Sequence, residues 1–413
     1  MNIDSRIKWA SRLDKFCAVT GSLVPAGLVI GNIGFEAAIG IVGLAWITRC
    51  IVIKENPFRE LWQHPLVIPW AAWFAGMVIS MVFNGPGSKG WAHDVVFIRY
   101  VLFGLALLDI SRRLPVARYL LYGLAAGVLW AALNTLSAYV LGRDLLGKPL
   151  LRYTGKLKEA SRISGMSAYA AALFICWGML DGRLNRRQRS VVMLAGMIAF
   201  AQVLQTQVRT AILGAAAGIF FGAACLINKK QKRGLALALV LAVVLTIAAV
   251  FYINRQFTLS SIYDRIYFWK VAWRMWLDHP VLGVGISSFQ DVYKEMAASG
   301  VIAEYVAPDG SVFSAGEQTH AHSLFFMLLS STGLLGLIVF FWLFITAVRV
   351  IVKDLKGFRY GLVSWPVVLI VIGLTGFNIY HSWYQALLAF MLILIGAADD
   401  GNASVGRHNR YGR

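Results

Sequence analysis

The sequence predicts an all-α polytopic membrane protein, with about twelve transmembrane helices in a single integral membrane domain over residues 1–413. Three observations support this prediction. Hydrophobic residues make up 58% of the 413 residues, which is more apolar surface than a soluble chain of this length can bury. These residues are gathered in runs close to the ~20 residues that cross a bilayer. The loops between the runs also alternate in positive charge.

Twelve apolar runs define the predicted spans, at roughly 20 residues each with a few shorter. Only short polar links divide the first two runs and the last two. In chain order the runs are 16–32, 35–53, 66–83, 92–110, 115–141, 163–180, 190–207, 209–227, 234–253, 322–348, 361–380 and 383–398.

Basic residues test this division. If the N-terminus is cytoplasmic, every second loop should be basic, as cytoplasmic loops usually are. The loops that meet this expectation carry Lys54 and Arg59; Arg112 and Arg113; Arg183, Arg186, Arg187 and Arg189; Lys229, Lys230, Lys232 and Arg233; Lys353, Lys356 and Arg359; and Arg407, Arg410 and Arg413. Both termini are therefore predicted to be cytoplasmic. The net charge of +19 is explained by orientation and membrane lipids, so no nucleic-acid partner is expected.

Two loops on the opposite side interrupt the apolar pattern, a smaller one at 142–162 and a larger one at 254–321. The smaller loop is basic, against the usual bias for that side. Either it is a solvated loop, or it attracts an anionic group at the outer face, such as a phospholipid or a lipid-linked phosphate. Arg152 and Arg162 are its candidate substrate-binding residues.

Arg209 follows Gln205 and Gln207 in what must be a tight hairpin between two apolar runs. An arginine at a span boundary can extend its side chain to the lipid headgroups. Alternatively, the hairpin presents its polar side chains above the membrane, where a guanidinium can hold a phosphate through two hydrogen bonds. Gln207 is a candidate substrate-binding residue on the same turn.

The larger loop begins with a predicted amphipathic helix at 264–282. Trp269 and Trp273 alternate with basic side chains, a composition typical of a helix that lies in the membrane interface. Such a helix would hold Arg265 at the depth of lipid phosphates, and His279-Pro280 would end it.

His320 and His322 open the next predicted span. Residues two apart do not share a helix face, which argues against a metal pair there. Each histidine is either a hydrogen-bonded structural group or a general base, because a neutral imidazole can accept a hydroxyl proton. The four cysteines form no CxxC, and the sequence has no P-loop, GxSxG or HExxH motif. Neither a metal nor a cofactor is therefore predicted.

Three blocks, taken in order, carry a family resemblance: QTQVRTAILG with Arg209, RIYFWKVAWRMWLDHPVLGVGISSF from Arg265, and HAHSLFFMLLSSTGLLGL from His320. With the long loop between the second and third, the chain resembles the O-antigen ligase family, bacterial membrane proteins that include O-antigen ligases and polymerases. The resemblance covers about 190–345 in detail, and the rest of the chain by its span pattern only.

The resemblance implies a GT-C-like glycosyltransferase architecture in the bacterial inner membrane, with the active site and both long loops facing the periplasm. The donor would be O-antigen glycan on undecaprenyl diphosphate. For the ligase branch the acceptor would be a sugar hydroxyl of lipid A-core, and the product would be complete lipopolysaccharide. Transfer would proceed with inversion and without metal or cofactor.

Residue roles follow by position. His322 resembles the base that activates the acceptor hydroxyl, and Arg209 and Arg265 resemble the arginines that bind the diphosphate. Gln207 and His320 are candidate substrate-binding neighbours. Ser323 stands where many relatives have asparagine, so no role is carried over to it.

Three other functions remain open from the sequence. An O-antigen polymerase uses the same donor but extends a second lipid-linked glycan, and a protein O-oligosaccharyltransferase uses a protein acceptor. A lipid-linked glycan flippase would catalyse no reaction and would need charged groups along a path through the bilayer. Only Arg99 and Asp94 fit that requirement in the sequence, which favours an enzyme.

Overall fold

The computed structural model describes residues 3–85, 87, 91, 95–147, 157–226, 260–302, 305–306, 312–313, 320–376 and 378–397. These residues are overwhelmingly helical. The helices are α1 Ile3–Ser22, α2 Val24–Ile30, α3 Asn32–Ile53, α4 Phe58–Leu61, α5 Val67–Asn84, α6 Ile98–Ser111, α7 Val116–Leu141, α8 Leu157–Leu180, α9 Arg186–Thr206, α10 Arg209–Leu226, α11 Ser260–Asp278, α12 Phe289–Ala298, α13 Leu324–Lys353, α14 Arg359–Leu362, α15 Trp365–Thr375 and α16 Ser382–Ala397.

A polytopic helical membrane protein is confirmed, but twelve spans are not. Six described helices are long and apolar enough to cross a membrane, or seven if α1 and α2, bent by 42° at their junction, form one span. Other predicted runs form shorter apolar helices such as α16, which at 1.5 Å per residue falls below the ~30 Å hydrocarbon thickness. The predicted span 234–253 lies outside the described residues.

One small departure from an all-α fold occurs in the larger loop. Tyr305–Val306 (β1) and Val312–Phe313 (β2) pair antiparallel, with Tyr305 opposite Phe313. The rest of the described part of that loop is helical, in α11 and α12. The pair is too short to change the fold class.

Contacts sort the connections into two ends of the helix bundle. At one end, here called the site end, the Arg162 side chain donates to Asn32 Oδ1 at 2.6 Å. The connection after α5 also meets the one before α12 there, because Gly87 packs on the Ser287 backbone. At the opposite end, here called the basic-loop end, Arg112 forms an ion pair with Glu60. These contacts place the described connections that they join at two ends, as expected for a bundle of membrane spans.

The turn between α11 and α12 is locked into a break in α13. Gly333 interrupts α13 with φ 63° and ψ −158°, a region that only glycine adopts readily. The turn supplies replacement bonds: Leu334 N–H donates to Pro280 O at 2.9 Å, and Val284 N–H donates to Ser330 O at 2.8 Å. A Cβ at Gly333 would lie 2.4 Å from the Val281 carbonyl. This interlock fixes α11 against the segment that leads into α13, and so positions the site.

Candidate active site

Arg209 is the first residue of α10, in the tight hairpin that the sequence predicts. The preceding helix, α9, ends at Thr206, and Gln207 reverses the chain with φ 55° while its N–H donates to Leu204 O. Val208 N–H adds a bond to Thr206 Oγ1 at 3.5 Å. Arg209 is half-buried and Gln207 is exposed. The turn thus places a guanidinium at the site end, next to the N-terminus of a helix, where anions are favoured.

Arg265 lies in the second turn of α11, and the predicted amphipathic helix is confirmed with an earlier start, at Ser260. Phe268, Val271, Ala272 and Met275 form its buried face, while Trp273 is exposed. Trp269 stacks on Phe326 of α13 at 5.4 Å between ring centroids. Packing against α13 therefore turns the helix so that Arg265 is half-buried beside the start of that element.

His320 and His322 precede α13, which begins at Leu324. The sequence predicted that the span begins at 322, which is two residues too early. The physical reason is the backbone of His322, whose φ of 52° is left-handed and incompatible with a right-handed helix. The turn brings the two rings to 4.1 Å between centroids, and the His322 ring lies 6.0 Å from that of Phe268 on α11. Strained backbone of this kind often occurs at functional sites.

Burial and the local charges keep both imidazoles neutral. Burial, reinforced by the positive charge of Arg265, lowers the pKa of His322 to about 4. Burial, then His322 and His381, lowers the pKa of His320 to about 2. A histidine whose pKa is lowered is unprotonated at neutral pH, so His322 has a lone pair available to accept a proton.

Arg265 interacts electrostatically with both Arg209 and His322. Burial and then the charge of Arg209 lower its pKa, while the neighbouring Asp264 acts in the opposite direction. No hydrogen bond or ion pair joins the Arg265 guanidinium to any other described residue. The structure therefore brings Arg209, Arg265 and His322 into one electrostatic cluster, although they come from three separate blocks of sequence.

Sequence reasoning missed His381, which it treated only as part of the link between the last two spans. Its ring lies 5.2 Å from that of His320, edge to face. The turn Asn378–His381 holds it there, because Tyr380 N–H donates to Asn378 Oδ1 at 2.9 Å and His381 N–H donates to Asn378 O. A histidine in a short link at the site end was the available signal.

The structure does not place the other two predicted substrate-binding residues, Arg162 and Arg152, in this cluster. Helix α8 begins at Leu157, so Arg162 stands inside a helix instead of in a loop, and its side chain is buried on Asn32 at the junction of α2 and α3. That contact joins helices, and substrate binding by Arg162 stays a prediction. Arg152 lies outside the described residues.

Arg99 is not in the middle of a span, as the comparison with a flippase assumed. It is the second residue of α6, at the site end. Its Nη2 donates to Glu36 Oε1 at 2.7 Å, and Tyr100 Oη donates to the same oxygen at 2.8 Å. The charge is therefore neutralised by a carboxylate near the start of α3. Asp94 lies outside the described residues.

Side chains that can bind metals are scattered in the described part of the chain. In the described ranges, no group of three or more His, Cys, Asp or Glu side chains is arranged to hold an ion. Transfer without metal stays a prediction, since the reaction's metal dependence is a matter for assay.

Comparison with known proteins bears on this cluster directly. Residues 194–341 match the family model described as O-antigen ligase, and curated proteins give no match. The matched segment contains Gln207, Arg209, Arg265, His320 and His322. Its ends also agree with the resemblance drawn from the three sequence blocks. Residues 194–341 thus match an O-antigen ligase domain, which supports a place for the chain in the family of O-antigen ligases and polymerases.

Proposed function

We propose that the protein is an O-antigen ligase, which transfers O-antigen glycan from undecaprenyl diphosphate to a sugar hydroxyl of lipid A-core. The reaction inverts the anomeric carbon and uses neither metal nor cofactor. The protein would lie in the bacterial inner membrane with both termini cytoplasmic, and the site end would face the periplasm. The alternation of basic loops supports this orientation, because the basic-loop end would then be cytoplasmic.

One observation carries the proposal: Arg265 is half-buried beside Arg209 and makes no hydrogen bond or ion pair with another described residue. A buried cation that is next to another cation destabilises a protein unless an anion offsets it. A diphosphate is a suitable anion, since guanidinium groups bind phosphate oxygens through paired hydrogen bonds. The neutral imidazole of His322 is close enough to Arg265 to be affected by its charge, so an acceptor hydroxyl could be deprotonated beside the bound diphosphate.

The proposed chemistry balances as a single displacement. The acceptor oxygen forms a bond to the anomeric carbon as the bond from that carbon to the phosphate oxygen breaks, and the electron pair leaves with undecaprenyl diphosphate. The hydroxyl proton passes to His322. Arg209 and Arg265 stabilise the negative charge that grows on the leaving diphosphate, the type of stabilisation that usually contributes most to such reactions.

Donor binding would also make His322 a stronger base. Burial is the larger cause of its low pKa, and the charge of Arg265 is the second. A bound diphosphate offsets the Arg265 charge, which removes the second cause and raises the pKa. Proton acceptance is then favoured when the donor is in place.

The decisive experiment is a transfer assay with the purified full chain, undecaprenyl-diphosphate glycan as donor and EDTA present throughout. The acceptor is either lipid A-core or a second lipid-linked glycan. Transfer to lipid A-core that is lost in His322→Ala supports the proposal.

The other outcomes are equally informative. Chain growth on the second lipid-linked glycan would make the protein a polymerase and leave the roles of the three residues unchanged. Strict dependence on a divalent ion would overturn the role given to the arginines. An absence of transfer to either acceptor would favour a protein acceptor or a flippase.

A further inference from the structure

A separate cavity of about 270 Å³ opens at the site end, between the start of α6, the start of α12 and the turn before α16. Small-molecule pockets are typically about 300–1,000 Å³, so this volume fits a single sugar ring better than a lipid diphosphate. Its walls combine aromatic rings with amides and hydroxyls: Phe97, Phe289, Ser287, Gln290, Asn378 and Ser382. This mixture offers hydrogen-bond donors and acceptors beside apolar surface, which suits a carbohydrate.

The charge of the cavity differs from that of the arginine cluster. Among the lining residues that the structure describes, Arg99 is the only arginine or lysine, and Glu36 neutralises it through the bonds described above. A cavity whose cation is already paired has little attraction for a diphosphate. Neutral hydroxyl groups are the better match.

The cavity also adjoins the histidines of the site. His381 lines it, His381 contacts His320, and His320 contacts His322. Arg265 also acts electrostatically on His322. With the diphosphate on the arginines, a sugar in the cavity would therefore lie next to the row of histidines that ends at the proposed base.

We infer that this cavity is a subsite for the acceptor glycan, which holds one neutral sugar ring next to the sugar whose hydroxyl reacts at His322. The inference rests on the proposed function, because it uses the placement of the donor on Arg209 and Arg265. Gln290 is the side chain best suited to a test. It is half-buried at the second position of α12 and makes no hydrogen bond with another described residue.

Two variants and one control examine the subsite. Gln290→Ala removes an amide that can bond a hydroxyl, and Gln290→Trp fills the cavity. Gln63→Ala makes the same truncation at an exposed position of the basic-loop end. Binding of delipidated core oligosaccharide to the purified full chain is measured by titration calorimetry, and acceptor and donor KM values are measured in the transfer assay. Thermal melting checks that each variant is folded.

Gln290→Ala is expected to weaken oligosaccharide binding and raise the acceptor KM about tenfold, as for the loss of one or two neutral hydrogen bonds. Gln290→Trp should raise the acceptor KM further, and neither variant should change the donor KM. Values equal to those of Gln63→Ala would overturn the inference, and a raised donor KM would assign the cavity to the donor glycan instead. If the wild-type chain binds the oligosaccharide but transfers nothing, the proposed function fails while the subsite is retained.

Discussion

Two groups of arginines at opposite ends of the bundle show contrasting electrostatics. At the basic-loop end, Arg49 Nε lies 3.0 Å from Asp14 Oδ1, and Arg113 Nη2 lies 2.8 Å from Asp109 Oδ2. Trp46 Nε1 donates to Asp109 Oδ2 at 2.9 Å as well. These groups tie α1, α3 and α6 together. At the site end, by contrast, the strongest electrostatic neighbour of Arg265 is another arginine.

The difference indicates what each group is for. Buried charges that only stabilise a fold need partners of opposite sign, since an unpaired buried charge costs several kcal/mol. The carboxylates of Asp14 and Asp109 serve that need for Arg49 and Arg113. Arg265 makes no ion pair with another described residue, and the neighbouring Asp264 opposes only part of the effect of burial and Arg209, so a bound anion would offset the remaining cost. The same side chain is thus structural at one end and suited to a substrate at the other.

The largest expected effect comes from His322. His322→Ala should lower kcat about 10²–10⁴-fold, the usual contribution of a general base. His279→Ala is the matched control, because His279 is an exposed histidine just past the end of α11. The measurement is steady-state transfer with both substrates saturating. A variant at His322 that keeps near-normal turnover would remove this residue as the base.

Next in size is the effect of substituting Arg265. Arg265→Ala should lower kcat/KM for the donor about 10²–10³-fold, as for loss of one group that stabilises developing charge. Arg265→Lys should recover little, because an ammonium cannot reproduce the paired bonds of a guanidinium. Arg274→Lys on the same helix is the control, since its exposed ion pair with Asp278 is worth little. Full activity of Arg265→Lys would contradict binding through paired hydrogen bonds.

Stability should respond in the opposite sense at the two ends. Arg49→Ala should lower the free energy of unfolding by about 3 kcal/mol, the lower end of the range for breaking a buried pair, because Arg113 still contacts both carboxylates. Arg265→Ala should leave stability unchanged or raise it, since it removes a half-buried cation. Denaturant titration in detergent without donor compares them. Equal destabilisation of both variants would remove the distinction between the two ends.

The sequence predicted the site end better than the basic-loop end. Arg209, Arg265 and His322 could be grouped because they stand on the same predicted side and each belongs to one of the three blocks that resemble the O-antigen ligase family. The Arg49 group could not be anticipated, because Asp14, Arg49 and Asp109 are far apart in sequence and their pairing depends on how α1, α3 and α6 pack. His381 was missed for the same reason: its importance comes from its contact with His320, which only the fold creates.

Span lengths and local backbone were the other differences. Hydropathy marks an apolar run but does not fix the helix within it: the predicted run 361–380 contains the end of α14 and the 11-residue α15. The break at Gly333 in α13 and the left-handed His322 depend on the turn that packs against that helix. The sequence shows the glycines and histidines of these segments, but the contacts that set their φ angles are tertiary.

The smallest expected effect is a shift in the pH profile of the transfer reaction. It tests whether the charge of Arg265 affects the pKa of His322. His322 must be neutral to accept a proton, so activity should fall as pH drops through its pKa. That pKa is lowered to about 4, so the acid limb of kcat/KM should lie near pH 4 instead of near 6.5, the ordinary value. Bound diphosphate offsets the charge of Arg265, so the acid limb of kcat, which reports the complex, should lie at a higher pH. A kcat/KM limb near pH 6.5 would mean that burial and Arg265 do not lower the pKa of His322. A kcat limb at the same pH as that of kcat/KM would mean that Arg265 does not act on His322.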